Sequence, residues 1–239
     1  MDHLIYLSMA AAQANLQRQD ALAGNLANAS TNGFRAELDA FRAVPVQGSG
    51  ASTRAYALET TVGYDDSPGP VQVTGRNLDV AMQGRAWLAV QGLDGTEAYT
   101  RAGSLTVDAQ GTLTTQSGLP VIGDGGPIVL PPDTVPTIAP DGTVSVKQAN
   151  GTISPLGKLK LVTPDAPLAR GDDGLFRATQ GDLSADPNAR VTPGALEGSN
   201  VSTIGTMVAM IAAARQFQAQ TKMMQTVDQN ESAASKLLS

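Results

Sequence analysis

Residues 4–28 read LIYLSMAAAQANLQRQDALAGNLAN, and this proline-free stretch decides the fold. Its apolar side chains recur at alternating steps of four and three residues, the spacing of a coiled-coil seam. The seam consists of Ile5, Met9, Ala12, Leu16, Gln19, Ala23 and Leu26, of which all but Gln19 are apolar. Asn15 is one of the polar residues that we expect to flank the seam, and Asn32 with Gly33 is a pair typical of a helix end. The stretch therefore predicts a long N-terminal helix.

The C-terminal part of the chain shows the same spacing. No proline follows Pro193 and no glycine follows Gly205, so a helix of more than roughly thirty residues is allowed. Ser199 and Asn200 are candidate N-caps for it. The positions in this rhythm are Met207, Met210, Ala214, Phe217, Thr221 and Met224, with Ile204, Val208 and Ile211 on an adjoining stripe.

The middle of the chain is different in character. All 14 prolines lie between Pro45 and Pro193, among short apolar runs that are separated by glycine turns. The runs predict strands at 77–82, 86–91, 99–107 and 156–162 and hairpins at 105–113 and 138–144, with Gly111 at a positive-φ turn position. Closely spaced short strands of this kind are typical of an antiparallel sheet.

The sequence thus predicts an α+β fold in which discontinuous terminal helices form a coiled-coil-like helical domain beside a central, mainly antiparallel β domain. We expect an N-terminal helix within residues 1–32 that pairs with a C-terminal one. An extended connector with one possible hairpin would occupy 33–73, the β domain 74–190, and a return segment followed by the C-terminal helix 191–239.

Composition excludes several classes of function. The formal charge of −6 argues against a nucleic-acid-binding protein, which usually has a basic face. No run of about eighteen apolar residues occurs, so we expect a protein that does not span a membrane. The start of the chain lacks the basic region and cleavage site of a secretory signal. The absence of cysteine excludes disulfides and thiolate metal sites.

Candidates for chemistry are few. The only histidine, His3, stands near the tip of the predicted N-terminal helix. The acidic pairs Asp65–Asp66 and Asp172–Asp173 could serve acid–base catalysis, but both adjoin glycine or proline turns, where aspartate is common for hydrogen-bonding reasons. We therefore expect no catalytic, cofactor or metal site and no small-molecule substrate. The alternative is a carbohydrate-binding or hydrolytic module that uses these acidic pairs.

Several motifs, in the same order along the chain, resemble the bacterial flagellar rod and hook family. At the N-terminal end they are Asn25-Leu-Ala-Asn28 and Thr31-Asn-Gly-Phe-Arg35. In the middle and at the C-terminal end they are Leu78-Asp-Val-Ala-Met-Gln-Gly84, Tyr99-Thr-Arg-Ala-Gly-Ser104, Gly118-Leu-Pro-Val-Ile-Gly123 and Leu196-Glu-Gly-Ser-Asn-Val201. The resemblance implies a structural subunit whose terminal helices pack with those of other subunits into the tubular shaft that transmits motor torque.

The resemblance also implies partners and a location. The partners would be other rod subunits, further copies of this chain and the flagellar type III export apparatus. The chain would then lie in the basal body, within the periplasmic space, after export without a cleaved signal peptide. The assembly interface that we expect comprises Ile5, Met9, Ala12, Leu16, Asn25, Leu26, Asn28, Gly33, Phe34, Asn200, Met207, Met210, Ile211, Phe217 and Met224.

Within this family, three features favour a subunit of the proximal rod. They are the length of the chain, the Trp87-Leu-Ala-Val90 and Arg170–Phe176 segments, and a short connector after Phe34. A distal-rod subunit of the same shaft is the nearest alternative. An adhesin or a factor that contacts peptidoglycan is compatible with the fold, although no particular residue favours it.

Overall fold

A computed structural model describes residues 2–45, 55–132, 134–148 and 152–237 of the chain. The chain forms two compact units. The helical unit consists of Met1–Ala29, Ala36–Asp65 and Val201–Ser239, and the β unit consists of Ser30–Arg35 and Asp66–Asn200. The described residues confirm the α+β fold, with a helix near each end of the chain and antiparallel pairing throughout the strands between them.

The helical unit contains two long helices and a hairpin. Helix α1 is Asp2–Ala27 and helix α2 is Thr203–Leu237, and the two helices pack against each other. Strands β1 (Glu37–Pro45) and β2 (Ala55–Tyr64) pair in antiparallel register, with Glu37 opposite Tyr64. This hairpin lies within the segment for which the sequence predicts an extended connector with one possible hairpin, and its strands show no clear alternation in the sequence.

Helix α2 begins one turn later than the candidate caps suggest. The Ser202 hydroxyl accepts a hydrogen bond from the Gly205 N–H at 3.2 Å, and the Ser202 carbonyl accepts one from the Thr206 N–H at 2.8 Å. Ser202 is therefore the N-cap, and the prediction of Ser199 or Asn200 was wrong. Both of those residues lie in the β unit.

The β unit contains sixteen short strands among its described residues. They are β3 (Val71–Val73), β4 (Val80–Met82), β5 (Trp87–Gln91), β6 (Glu97–Thr100), β7 (Leu105–Val107), β8 (Leu113–Thr115), β9 (Ile122–Gly123), β10 (Gly126–Pro127), β11 (Val135–Ile138), β12 (Thr143–Lys147), β13 (Ile153–Lys158), β14 (Leu161–Val162), β15 (Ala169–Arg170), β16 (Phe176–Arg177), β17 (Val191–Pro193) and β18 (Ala195–Glu197).

The largest sheet of the β unit has the strand order β14-β5-β6-β16-β15. Strands β11, β12 and β13 form a second sheet, while β4 pairs with β17 and β3 pairs with β18. The apolar run of β5 is buried on both faces, which is why this strand lies inside the sheet. Leu88, Leu105, Leu113 and Val144 are fully buried members of one core.

Both predicted hairpins are present, as β7–β8 with Gly111 at φ 84° and as β11–β12 with Gly142 at φ 84°. The predicted strand at 99–107 is instead divided between β6 and β7. The break occurs where Gly103 packs against the Val80 carbonyl, too closely for any side chain. The predicted strand at 156–162 is likewise divided between β13 and β14.

Candidate assembly interface

Asn25 connects the end of α1 to the start of the hairpin. Its side-chain Nδ2 donates to the Glu37 carbonyl at 3.0 Å, and its Oδ1 accepts from the Glu37 N–H at 2.8 Å. An asparagine amide can do both at once because it carries a donor and an acceptor side by side. Asn28 acts locally, since its Nδ2 donates to the Gly24 carbonyl at 2.9 Å and closes the helix end. The Asn-Leu-Ala-Asn motif is thus a junction between helix and hairpin.

The chain enters the β unit through residues 30–35, which we call the first crossing, and leaves it through residues 197–200, the second crossing. Two backbone hydrogen bonds join these crossings. The Gly33 N–H donates to the Glu197 carbonyl at 2.8 Å, and the Asn200 N–H donates to the Phe34 carbonyl at 3.3 Å. The segment that follows α1 and the segment that precedes α2 therefore lie side by side.

Gly33 and Phe34 fix the first crossing in place. Gly33 has φ 71°, and a Cβ added there would lie 2.2 Å from the Arg101 carbonyl carbon. Phe34 is half-buried, and the Arg170 guanidinium carbon lies 4.6 Å from the centre of its ring, within the range of a cation–π contact. Gly33 permits close approach of two backbones. The contact of the Phe34 ring with Arg170 holds the following residue in place.

A buried charge cluster underlies both crossings, and we define it as Arg35, Arg101 and Glu197. Arg35 Nη2 lies 2.7 Å from Glu197 Oε1, and Arg101 Nη2 lies 2.6 Å from Glu197 Oε2. All three side chains are almost completely buried. Gly69 also donates its N–H to Glu197 Oε1 at 3.0 Å. One carboxylate thus accepts hydrogen bonds from two guanidinium groups and one backbone amide.

The remaining donors of the cluster bind backbone carbonyls. Arg101 Nη1 donates to the carbonyls of Gly84 at 2.9 Å and Ala86 at 2.5 Å, and Arg35 Nη1 donates to that of Ser67 at 2.8 Å. Burial lowers the pKa of the Arg101 guanidinium below its ordinary value, and the charge of Glu197 opposes that shift. The cluster was missed at the sequence level, although its members stand within the motifs that carry the family resemblance.

The predicted interface residues differ in exposure and in the unit to which they belong. Half-buried or buried in the helical unit are Ala12, Asn25, Leu26, Asn28, Met210, Phe217 and Met224. Exposed are Met9, Leu16, Met207 and Ile211. Gly33, Phe34 and Asn200 lie in the β unit instead, at the crossings. Ile5 lies in α1, and its side chain is outside the described part of the structure.

A polar contact also joins the two helices. Asn15 Nδ2 donates to Gln220 Oε1 at 2.8 Å and to the Ala11 carbonyl at 3.0 Å, and Asn15 is only 3% exposed. The sequence places Asn15 on the flank of the seam; in the structure it is buried, and Gln220 accepts a hydrogen bond from its amide within the helix pair. A buried polar pair of this kind fixes the register of packed helices.

An exposed apolar stripe runs along the face of α2 that points away from its half-buried side. We call it the α2 stripe, and it consists of Ile204, Met207, Val208 and Ile211, which are 78%, 47%, 61% and 54% exposed. Their spacing of three and four residues places them on one face. On α1, Met9 and Leu16 are also exposed and lie two turns apart. Contiguous exposed apolar side chains of this kind mark an interaction surface.

Three of the four residues of the acidic pairs make ion pairs or backbone hydrogen bonds within the fold. Asp173 lies 2.7 Å from Arg177, and hydrogen bonding to that guanidinium holds the pKa of the Asp173 carboxyl below its usual range. A general acid at neutral pH needs the opposite shift. Asp66 pairs with Arg85 at 3.2 Å on the surface, and the Asp65 N–H donates to the Ala36 carbonyl at 2.8 Å.

The described residues contain no cluster of histidine, cysteine, aspartate or glutamate that could hold a metal ion. None of the helices within them is both long and apolar enough to cross a bilayer. The side chain of His3 lies outside the described part of the structure.

Comparison with known proteins gives three matches along the chain. The family model of the flagella basal body rod protein matches residues 5–35. The model of the flagellar hook protein FlgE/F/G D1 domain matches residues 81–146. The model of the flagellar basal body rod FlgEFG protein C-terminal region matches residues 192–237. The first match covers most of α1 and all of the first crossing, and the last match covers the second crossing and α2.

Full-length relatives agree with these matches. The flagellar basal-body rod protein FlgF of Escherichia coli (strain K12) is 50% identical over 250 residues, which cover 100% of this chain and 99% of the relative. FlgF of Salmonella typhimurium is 49% identical with the same coverage. The flagellar basal-body rod protein FlgG of Bacillus subtilis (strain 168) is 31% identical over 236 residues, or 88% of this chain and 89% of the relative.

Proposed function

The chain belongs to the FlgF-like family of flagellar basal-body rod proteins, and we propose that it is a structural rod subunit that assembles through the outward faces of its terminal helices. The α2 stripe carries this proposal. Its four large apolar residues lie opposite the side that α2 packs within its own chain, so covering them requires another molecule. A rod subunit meets that requirement because its neighbours in the shaft bring equivalent helices.

The helix pair suits this role in a second way. Small residues, including Ala12 and Ala14 on α1 and Ala213 on α2, are buried in the helical unit. The large apolar side chains of the α2 stripe, and Met9 and Leu16 of α1, are left for external contacts. Methionine is flexible and adapts to differently shaped partners, which suits a subunit that meets more than one neighbour.

We infer a position in the proximal rod. Support comes from two FlgF proteins, those of Escherichia coli and Salmonella typhimurium, whose identities of 50% and 49% exceed the 31% of FlgG of Bacillus subtilis. The distal rod is the alternative. The partners that follow from this proposal are adjacent rod subunits and further copies of this chain, with the flagellar type III apparatus as the route of export and the periplasmic space as the location.

We further propose that the protein has no enzymatic activity. The ion pair between Asp173 and Arg177 and the surface pair between Asp66 and Arg85 give these carboxylates structural roles. Membership of a family of structural rod proteins supports the same conclusion.

The substitution Ile211→Asp tests the proposed surface. Ile211 is 54% exposed, so the folded chain should tolerate the change, whereas in a packed rod it would bury an unpaired carboxylate. A burial cost of more than about 1.4 kcal/mol lowers association at least about tenfold. We expect the yield of basal bodies, counted by electron microscopy from cells carrying the variant gene, to fall by at least that factor, together with loss of motility.

Gln216→Asp is the matched control for this substitution. Gln216 is exposed on the same helix, and its five-residue offset places it about 140° around the axis from Ile211. The same charge at this position should leave assembly close to normal. Normal assembly of the Ile211→Asp variant, or equal losses in both variants, would contradict a role of the α2 stripe.

A further inference from the structure

The charge cluster connects the two crossings to the body of the β unit through an unbroken series of contacts. Arg101 is held by the carbonyls of Gly84 and Ala86, which lie in the connection between β4 and β5. Glu197 lies at the end of β18 and the start of the second crossing. Its Oε2 accepts a hydrogen bond from Arg101 Nε at 2.9 Å. Arg35, at the end of the first crossing, bonds to the other oxygen of the same carboxylate.

The charges of this cluster do not balance. Two guanidinium groups share one carboxylate, so the buried cluster carries an excess positive charge. Arg35 is the less well satisfied of the two arginines, since its Nε has no hydrogen-bond partner among the described residues. Burial of an excess charge and an unsatisfied donor is costly, so the fold alone gives little reason for Arg35 to be an arginine.

We propose that Arg35 is a positioning residue for assembly, and that the Arg35–Glu197–Arg101 cluster is a latch that holds both crossings together. The latch holds the two crossings side by side. Because α1 precedes the first crossing and α2 follows the second, the two helices are presented as a pair. This inference rests on the proposed function, because the pair is useful only if both helices enter the same assembly.

Arg35→Met separates this role from general stability. Methionine retains an apolar stem of similar length, and the remaining Arg101–Glu197 pair is one-to-one and hydrogen-bonded. The change also removes the excess charge and the unsatisfied Nε. The core of the β unit should therefore stay folded while the first crossing loses its side-chain attachment to Glu197. Arg85→Met is the control, because Arg85 is an exposed arginine whose ion-pair partner among the described residues is Asp66, at the surface.

The test measures amide hydrogen exchange in the purified full chain and basal-body yield in cells. In Arg35→Met we expect exchange at the Gly33 and Asn200 amides, which join the crossings, to rise at least about tenfold. Exchange at Leu113 and Val121, whose amides bond inside the core, should stay unchanged. The basal-body yield of Arg35→Met should fall severalfold. Arg35→Lys should recover part of that yield by restoring one charged hydrogen bond. The yield of Arg85→Met should match that of the parent chain.

Three results would overturn the latch. Unchanged exchange at Gly33 and Asn200 would show that Arg35 does not hold the crossings. An equal rise at Leu113 and Val121 would show a general loss of stability. Faster exchange at the crossings with normal basal bodies would remove the link to assembly. The Ile211→Asp variant is measured in parallel to separate failure of the latch from failure of the proposed function. If the proposed function fails, the basal-body yield of Ile211→Asp is normal as well.

Discussion

Replacing Gly33 with alanine should unfold the β unit at a much lower denaturant concentration than the parent chain requires. At φ 71° an alanine costs about 1–2 kcal/mol from backbone sterics alone. The added Cβ would also lie 2.2 Å from the Arg101 carbonyl carbon and 2.4 Å from the Ala102 nitrogen, so backbone must move. Such overpacking adds about 1–3 kcal/mol, which is a large share of the roughly 5–15 kcal/mol that stabilises a typical domain.

Gly75→Ala is a close control for this prediction. Gly75 has the same φ of 71°, but a Cβ there meets nothing within 4 Å. Urea unfolding can be followed by the fluorescence of Trp87, the only tryptophan of the chain, which is 1% exposed in the β unit. Gly75→Ala should lose only the backbone contribution. Equal destabilisation by the two substitutions would mean that close approach of the first crossing to Arg101 does not matter.

Proline at Leu16 or at Met210 should abolish rod assembly while the β unit stays folded. Each position lies inside a helix, where proline removes a backbone hydrogen bond and its ring clashes with the preceding turn, at a cost of about 3 kcal/mol or more. Because α1 and α2 belong to the helical unit, the fluorescence of Trp87 should not change. Electron microscopy should find basal bodies without a complete rod, and the cells should be non-motile.

Thr203→Pro provides the control within α2. Thr203 directly follows the N-cap Ser202 and is the first residue of the helix, a position where proline is well tolerated because that N–H lacks a partner inside the helix. This variant should assemble. Normal basal bodies in both interior variants would exclude the terminal helices as the assembly machinery, and loss of the Trp87 signal would show that the effect is not confined to them.

The positions of both helices could be predicted from the sequence, since a long proline-free run with regular apolar spacing leaves few alternatives to a helix. The hairpin tips at Gly111 and Gly142 were equally readable, because a glycine beside a short polar turn indicates positive φ. The β1–β2 hairpin was harder to predict. Its pairing depends on partners across the strand and on α1, and such contacts leave no periodic signature.

The exposure of the proposed interface residues could be predicted only in part, and the reason lies in how a helix buries its faces. The apolar spacing selected both Met210 and Ile211, yet only the structure shows that Met210 is half-buried and Ile211 exposed. Asn15 was read as a flanking residue because its partner, Gln220, is remote in the sequence. Arg101 and Glu197 are likewise 96 positions apart, so their contact depends on the folded β unit.

The central claim is that the exposed stripe of α2 is covered by other subunits in the rod, and thiol labelling tests it most directly. The chain contains no cysteine, so Ile211→Cys introduces a single reactive site. Leu93→Cys, in a turn of the β unit where Leu93 is 92% exposed, reports whether the reagent reaches the chain.

Labelling with a maleimide is compared between the purified chain and isolated basal bodies. We predict that the cysteine at position 211 reacts readily in the purified chain and at least about tenfold more slowly in basal bodies, while that at position 93 reacts in both. Equal labelling of position 211 in the two states would contradict the account.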